Sequence, residues 1–275
     1  MAFIEARDFN LEATIESAQI FGYRREPDGS FLLSVRGSVL RLHQNSERLC
    51  VQTVQGPAVS PETIRNYFDL DTPMEPLFRI LEEEPPLLDA LTAFRGLRII
   101  RQNPWHATAA FIISANNNVK RIRGIWDRMC RFYGRHELDF PDTARLISEG
   151  PEALDRMGLG YRAKYLWATA NAILCGPVEF RELYTLPLDE ARRKAMAYAG
   201  VGPKVADCIL LYGFHRPEAF PVDVWIARAM RRLFFRNRPA SAARILAFAS
   251  KRWGPWAGYV QQYIFHAART IGSGT

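Results

Sequence analysis

The chain has 275 residues, with 48% hydrophobic and 24% charged side chains, a formal net charge of +7 and a pI near 9.4. This composition excludes an intrinsically disordered chain, and the length allows one elaborate domain or two to three compact subdomains. No apolar run reaches the length of a membrane span, and the N-terminus lacks the pattern of a secretory signal, so we expect neither a membrane protein nor a secreted one.

The charge is distributed unevenly. Residues 1–84 contain 8 Arg or Lys and 14 Asp or Glu, a net of −6. This leaves 28 of the 36 basic and 15 of the 29 acidic residues for residues 85–275, a net of +13. We therefore expect a polyanion to bind mostly to the second part of the chain.

The first 84 residues favour an antiparallel sheet domain, with strands between about residues 10 and 55. The β-prone runs span residues 31–35, 39–42 and 49–54. Ser60 before Pro61 predicts the start of a short helix, because serine caps helices and proline fits the first turn. Two prolines after the acidic run at residues 82–84 predict a domain boundary there.

Residues 85–275 show an almost wholly helical pattern. We therefore predict an α+β protein, in which the sheet domain is followed by two mostly helical subdomains with the active site in the cleft between them. The stretch from Trp105 to Ala115 is apolar nearly all round, which predicts a buried central helix.

Three asparagines, residues 116–118, interrupt this helix. A cap or bend explains them, because asparagine side chains compete for backbone hydrogen bonds. The following helix, from Val119 to Tyr133, carries five basic residues: Lys120, Arg121, Arg123, Arg128 and Arg131. A basic helix behind an amide cluster also suits a nucleic acid base flanked by phosphates.

A helical hairpin is predicted at about residues 188–212. Apolar residues recur at helical spacing from Leu188, the Gly200-Val201-Gly202 turn stops the first helix, and Pro203 opens the second, which ends at Gly213. Such a turn presents backbone N–H groups suited to a DNA phosphate, although a plain packing hairpin has the same pattern.

Two charged residues in and after this hairpin are candidate catalytic residues. Lys204 falls in the first turn of the second helix, where the helix dipole disfavours a positive charge, so it is a candidate for a neutral nucleophilic amine. Asp223 ends the loop at residues 214–225 and precedes another amphipathic helix, so it is well placed as an N-cap. Taken singly, a surface lysine and a simple cap remain the alternatives.

The wording GVGPKVADC followed by PVDVW resembles the helix-hairpin-helix DNA glycosylases, in the 8-oxoguanine DNA glycosylase branch. Residues 94–124, FRGLRIIRQNPWHATAAFIISANNNVKRIRG, are similar to the same family. The resemblance covers roughly residues 10–270 and is strongest over 94–225. It implies a bifunctional glycosylase/AP lyase that flips 8-oxoguanine, paired with cytosine, out of duplex DNA. Lys204 would form a Schiff base at the sugar and Asp223 would assist.

The resemblance also implies which residues meet the opened base pair. Met157 to Lys164 is by pattern a glycine-rich turn with a surface Tyr-Arg pair. In the family this motif supplies an aromatic wedge and a cytosine-reading arginine. The opposite-base and wedge residues would thus be Asn116, Arg121, Tyr161 and Arg162.

The base pocket is likewise carried over from the family. Gln261 would contact the Watson–Crick edge of the flipped base, with Phe265 and Cys208 as its walls. By pattern alone these are ordinary core residues. Ala18 occupies the place of a family glycine whose carbonyl accepts the N7 hydrogen of 8-oxoguanine. Trp225 stands where the family has a histidine.

Phosphate contacts of the hairpin are assigned to Gly200, Gly202 and Lys204. The family also holds a monovalent cation through main-chain carbonyls near Met196, Tyr198 and Val201. The four cysteines, Cys50, Cys130, Cys175 and Cys208, form no CxxC pair. We therefore predict reduced thiols and no iron–sulfur cluster or other cofactor.

Two other functions remain open. A monofunctional alkylbase glycosylase would use the aspartate with an activated water and would not need Lys204. A non-catalytic DNA-binding module, using the hairpin for phosphate contact, would not need Lys204 either. We expect a monomer that binds double-stranded DNA, in a bacterial or archaeal cytoplasm or, in a eukaryote, in the nucleus.

Overall fold

The computed structural model describes residues 2–270 and begins with a five-stranded antiparallel sheet. Its order is β1-β5-β4-β3-β2. The three predicted runs are confirmed as the central strands β3, β4 and β5, whereas the edge strands were not predicted because each has only three or four residues. The strands are β1 Ala2–Glu5, β2 Tyr23–Arg25, β3 Phe31–Val35, β4 Ser38–Asn45 and β5 Arg48–Gln55.

Helices make up most of the remaining chain, as predicted, so the α+β class is confirmed. They are α1 Leu11–Glu16, α2 Pro61–Tyr67, α3 Glu75–Glu82, α4 Leu88–Phe94, α5 Pro104–Ser114, α6 Val119–Tyr133, α7 Thr143–Leu154, α8 Arg162–Cys175, α9 Pro177–Arg181, α10 Leu188–Ala195, α11 Pro203–Cys208, α12 Val224–Phe234, α13 Ala242–Trp253 and α14 Ala257–Thr270. Over residues 2–270, none of the helices is long and apolar enough to cross a membrane.

One segment differs from the expectation of strands. Residues 11–16 form α1, because Asn10 caps the helix by accepting a hydrogen bond from the Ala13 N–H at 2.9 Å. The chain leaves α1 through a tight loop at Ser17 and Ala18. This loop lies next to α14, because Gln262 on that helix donates a hydrogen bond to the Ser17 carbonyl at 3.0 Å.

Two cores share residues across the predicted boundary at 84. Ala13 and Phe21, from the sheet part, pack in the helical core, and Ile100 packs in the sheet core. Buried Arg98 donates to the carbonyls of Asp69 and Thr72, each at 2.7 Å. The division into residues 1–84 and 85–275 stays a prediction, but the contacts hold the two parts against each other.

Helix α5 lies at the centre of the helical region, where residues 107–113 are almost fully buried. Asn103 caps its start and Pro104 is its first residue. It ends before Asn116, which has a left-handed backbone with a φ of 49°, and Asn118 caps α6. The predicted break at the asparagines is therefore confirmed.

Candidate active site

The helical hairpin is formed by α10 and α11. Helix α10 ends at Ala195, earlier than the apolar spacing indicates, and a turn leads to Gly200 at a φ of 77°. A Cβ at Gly200 would lie 2.8 Å from the Tyr165 side chain on α8, so this position requires glycine for both its conformation and its packing. Gly202 faces open space, and a Cβ added there would meet no atom within 4 Å.

Lys204 is the second residue of α11, as predicted, and its side chain is half-buried. Its amine lies 5.4 Å from the centroid of the Phe111 ring on α5. Burial raises the pKa of Cys208 to about 12, with Lys204 opposing the rise and Asp223 adding to it. Lys204, Cys208 and Asp223 therefore share one small neighbourhood.

Asp223 is the N-cap of α12, as predicted. Its Oδ1 accepts the Ile226 N–H at 2.8 Å, whereas its Oδ2 accepts no hydrogen bond from residues 2–270. The carboxylate also interacts electrostatically with Arg269, at the end of α14. Capping fixes the position of the side chain and leaves one oxygen for another partner, so the two readings of this aspartate are compatible.

The wall behind Lys204 is aromatic. Phe111 stacks on Tyr212, with ring centroids 5.0 Å apart and an interplanar angle of 18°. Burial raises the pKa of Tyr212 well above its usual value, so its hydroxyl remains a proton donor. That hydroxyl lies 3.3 Å from Oε1 of Gln261, which is 3% exposed. The structure thus brings the predicted pocket residues Cys208 and Gln261 into the neighbourhood of Lys204.

The other two predicted pocket residues, Ala18 and Phe265, lie beside and on α14, respectively. Ala18 is buried with a φ of 61°, and the neighbouring Ser17 carbonyl accepts a hydrogen bond from Gln262 on α14 at 3.0 Å. Phe265, one turn after Gln261, is half-buried beneath the Arg269 guanidinium, 5.5 Å from its ring centroid.

The predicted wedge residues form a second group. The Asn116 side-chain amide lies 3.4 Å from the Tyr161 hydroxyl, and Tyr161 is 49% exposed. Arg121 reaches the Gly158 carbonyl at 3.4 Å. Two loops, after α5 and before α8, are therefore held together by the residues expected at the opened base pair.

Arg162 belongs to this group but is 3% exposed. Its guanidinium donates to the carbonyls of Ala115 at 2.7 Å and Asn116 at 2.9 Å, and it lies 4.4 Å from the Tyr161 ring centroid. A third carbonyl, that of Leu159, accepts from the guanidinium at 3.2 Å. The role of Arg162 as a reader stays a prediction, while its support of the wedge is visible.

A cavity of about 910 Å³ lies elsewhere. It opens at the N-terminal end of α5, between the sheet and the helices, and aromatic residues such as Tyr67, Trp105 and Trp126 line it. None of the predicted site residues lines this cavity. Cavity volume alone therefore does not locate the candidate site, whereas Lys204 and Asp223 both act on the buried Cys208 thiol.

Comparison with known proteins identifies the family of the chain. Residues 1–107 match the family described as 8-oxoguanine DNA glycosylase, N-terminal domain, and residues 109–255 match the HhH-GPD superfamily of base excision DNA repair proteins. A probable N-glycosylase/DNA lyase of Methanothermobacter thermautotrophicus is 34% identical, over 98% of this chain and 96% of its own length. The chain belongs to the 8-oxoguanine DNA glycosylase family.

Further members of the 8-oxoguanine DNA glycosylase family are similar over most of the chain. The N-glycosylase/DNA lyase of Saccharomyces cerevisiae is 30% identical over 83% of this chain and 73% of its own length. An 8-oxoguanine glycosylase/lyase of Clostridium acetobutylicum superposes with a TM-score of 0.87 at 26% identity, covering 99% of both chains. That structure contains double-stranded DNA with cytosine opposite 8-oxoguanine.

Three residues of the pocket were not predicted from the sequence: Phe111, Tyr212 and Gln262. Phe111 and Tyr212 lie in apolar runs and carry no separate signal. Gln262 does carry one, because two adjacent glutamines in a helix with buried residues on both sides of them indicate a buried polar network.

Proposed function

We propose that Lys204 is the nucleophile and Asp223 the assisting carboxylate of a bifunctional DNA glycosylase/AP lyase. The chain is a base-excision repair enzyme of the N-glycosylase/DNA lyase class, and its substrate is 8-oxoguanine in duplex DNA. The observation that supports the residue roles best is the position of the Lys204 amine against the Phe111 ring, where Lys204 and Asp223 both act electrostatically on the buried Cys208 thiol.

The reaction follows from these groups. The neutral amine of Lys204 attacks the sugar C1′ and the N-glycosidic bond breaks, so that the base leaves with the bonding electrons and takes up a proton. Asp223 stabilises the positive charge that develops on the sugar. Ring opening then gives a Schiff base, removal of a C2′ proton expels the 3′ phosphate by β-elimination, and water releases the lysine.

DNA binding supplies the geometry for this reaction. The excess of positive charge after residue 84 attracts the duplex, and the N–H groups around Gly200 and Gly202 are proposed phosphate ligands. Extrusion of a nucleotide costs a few kcal/mol, and stacking on Tyr161 offsets about 1–3 kcal/mol of it. Asn116 would occupy the space that the base leaves, and Arg121 would contact the orphaned cytosine.

Several parts of the proposal concern the surroundings of the reaction. The carbonyls of Met196, Tyr198 and Val201 belong to the hairpin turn, and oxygen donors of this kind suit a hard monovalent cation. The Tyr198 carbonyl also accepts the Val201 N–H at 3.2 Å. We propose a monomer that binds DNA without an iron–sulfur cluster, in the cytoplasm of a bacterium or archaeon or in a eukaryotic nucleus.

The presence of Lys204 at this position favours the bifunctional glycosylase/AP lyase over the two alternative functions. A monofunctional alkylbase glycosylase has no use for an amine beside the aspartate, and a DNA-binding module has no use for either group. The half-buried position of Lys204 against Phe111 also differs from that of a solvated surface lysine.

The decisive experiment is borohydride trapping on a duplex with one 8-oxoguanine opposite cytosine. We expect a covalent adduct with the native protein, no adduct with Lys204→Gln, and an undiminished adduct with the control Lys251→Gln on exposed α13. An active enzyme that gives no adduct, or an adduct that persists in Lys204→Gln, would overturn the assignment of the nucleophile.

A further inference from the structure

Three consecutive carbonyls in the loop after α1 differ in their hydrogen bonding. The Ser17 carbonyl accepts a hydrogen bond from the Gln262 amide at 3.0 Å, and the Gln19 carbonyl accepts one from the Gln102 amide at 2.7 Å. The Ala18 carbonyl between them accepts none from residues 2–270. Of the three carbonyls, that of the buried Ala18 is therefore the one left to accept a hydrogen bond from a bound base.

The backbone of Ala18 is strained, with a φ of 61° that disfavours a residue with a Cβ. The Gln19 side chain holds this conformation, since its Nε2 donates to the carbonyls of Thr14 and Arg98 and its Oε1 accepts the Ile100 N–H. Strain that several independent hydrogen bonds maintain is typical of a site where one group must point in one direction.

One hydroxyl joins this loop to the base-edge amide. The Tyr212 hydroxyl donates to Oε1 of Gln262 and lies 3.3 Å from Oε1 of Gln261. Gln262, fully buried on α14, then donates to Ser17, a residue 245 positions away in the sequence. Stacking on Phe111 fixes the Tyr212 ring, so the hydroxyl cannot leave both amides without disturbing the wall behind Lys204.

We propose that Tyr212 and Gln262 are positioning residues that set the discrimination between 8-oxoguanine and guanine. Gln262 aims the Ser17–Ala18 segment, and Tyr212 orients Gln262 and Gln261 together. A fixed Ala18 carbonyl accepts from the N7–H of 8-oxoguanine, whereas it faces the lone pair on N7 of guanine. The inference rests on the proposed function and adds the residues that fix its recognition groups.

The test compares Gln262→Met and Tyr212→Phe, which remove the polar groups at nearly constant volume, with Tyr263→Phe. Tyr263 is the next residue on α14, equally buried, and its hydroxyl makes no hydrogen bond within residues 2–270. Single-turnover rates are measured for excision of 8-oxoguanine opposite cytosine and for nicking of a preformed abasic site. Affinities for 8-oxoguanine and guanine duplexes are measured in the Lys204→Gln background.

We expect Gln262→Met and Tyr212→Phe to lower excision, and the preference for 8-oxoguanine over guanine in binding, by about tenfold each, the effect of one buried hydrogen bond. Nicking of the abasic site, which contains no base to recognise, should change by less than about twofold. Tyr263→Phe should match the native protein in all measurements.

Two results would overturn the proposal. Equal losses in excision and abasic-site nicking would mean that the network only maintains the fold around Lys204. Native discrimination in both variants would mean that Ala18 needs no such positioning. If the native protein itself does not excise 8-oxoguanine, the proposed function fails as well, so the two failures are distinguishable.

Discussion

The base pocket and the opposite-base region are built in contrasting ways. In the pocket, Cys208, Tyr212 and Gln261 are buried, and side chains meet side chains. In the opposite-base region, Asn116 and Tyr161 are exposed, and the supporting Arg162 is held mainly by backbone carbonyls. The first arrangement fixes the side chains for which we propose roles in the reaction and in base recognition before DNA binds. The second leaves groups at the surface that can enter a base stack.

From this contrast we expect substitutions in the two regions to alter different properties of the enzyme. A substitution in the pocket acts on chemistry or on base recognition and leaves the surface presented to DNA intact. A substitution in the opposite-base region acts on opening of the duplex and leaves the reacting groups in place. Variants of each region should therefore differ in kind as well as in magnitude.

The largest effect is expected for Asp223→Asn. The amide keeps an oxygen to accept the Ile226 N–H, so the cap survives, but the negative charge that stabilises the sugar cation is lost. Single-turnover excision should slow by about 10²–10³-fold. The free energy of unfolding should stay close to the native value, whereas Asp223→Ala should lower it by about 1 kcal/mol. A fast Asp223→Asn enzyme would show that the carboxylate serves α12 alone.

A smaller effect is expected for Asn116→Ala. Loss of the side-chain amide should reduce the preference for cytosine over other opposite bases by up to about tenfold, the range of one hydrogen bond. Excision from duplexes with each of the four opposite bases measures this ratio. Asn116→Gly is the matched control, because glycine adopts the φ of 49° without strain. Unchanged ranking in both variants would remove Asn116 from opposite-base recognition.

Two glycines of the hairpin turn, Gly200 and Gly202, are expected to differ in their contribution to the free energy of unfolding. Gly200→Ala places a Cβ 2.8 Å from Tyr165 at a φ of 77°, and should lower the free energy of unfolding by about 2 kcal/mol. Gly202→Ala meets open space at a φ of −90° and should change it by less than about 0.5 kcal/mol. Chemical denaturation gives both values, and similar losses would contradict the role of the Tyr165 contact.

The smallest effect is a difference in thiol reactivity. Burial raises the pKa of Cys208 to about 12, so this thiol stays protonated at pH 8 and should be alkylated much more slowly than exposed Cys175. A time course with iodoacetamide, followed by peptide mass spectrometry, measures the order. Rapid labelling of Cys208 would show that the pocket opens to solvent in the absence of DNA.

The sequence predicts those parts of the molecule whose signals are local. The glycines and Pro203 of the hairpin, the Asp223 cap and the asparagine break after α5 are each specified by a few neighbouring residues, and the structure confirms them. The early end of α10 was not predicted, because apolar spacing continues beyond Ala195 while the chain already turns toward Gly200.

Contacts between distant residues explain what else was missed. Gln262 meets Tyr212 and Ser17, 50 and 245 positions away, and no local pattern specifies such partners. The pairing of Lys204 with Asp223 came from family resemblance, and the spacing alone leaves each as an ordinary surface residue or cap. The roles taken from the family for the remaining site residues stay predictions for the experiments described above.

Helix α5 connects the base pocket with the opposite-base region. Its 11 residues form a buried rod about 16 Å long, with Phe111 beside the reacting lysine and Ala115 and Asn116 just beyond its C-terminal end. Insertion of a single residue between Phe111 and Asn116 would rotate one relative to the other by about 100°. The last turn of α5 therefore sets the position of Asn116 relative to Phe111 and Lys204.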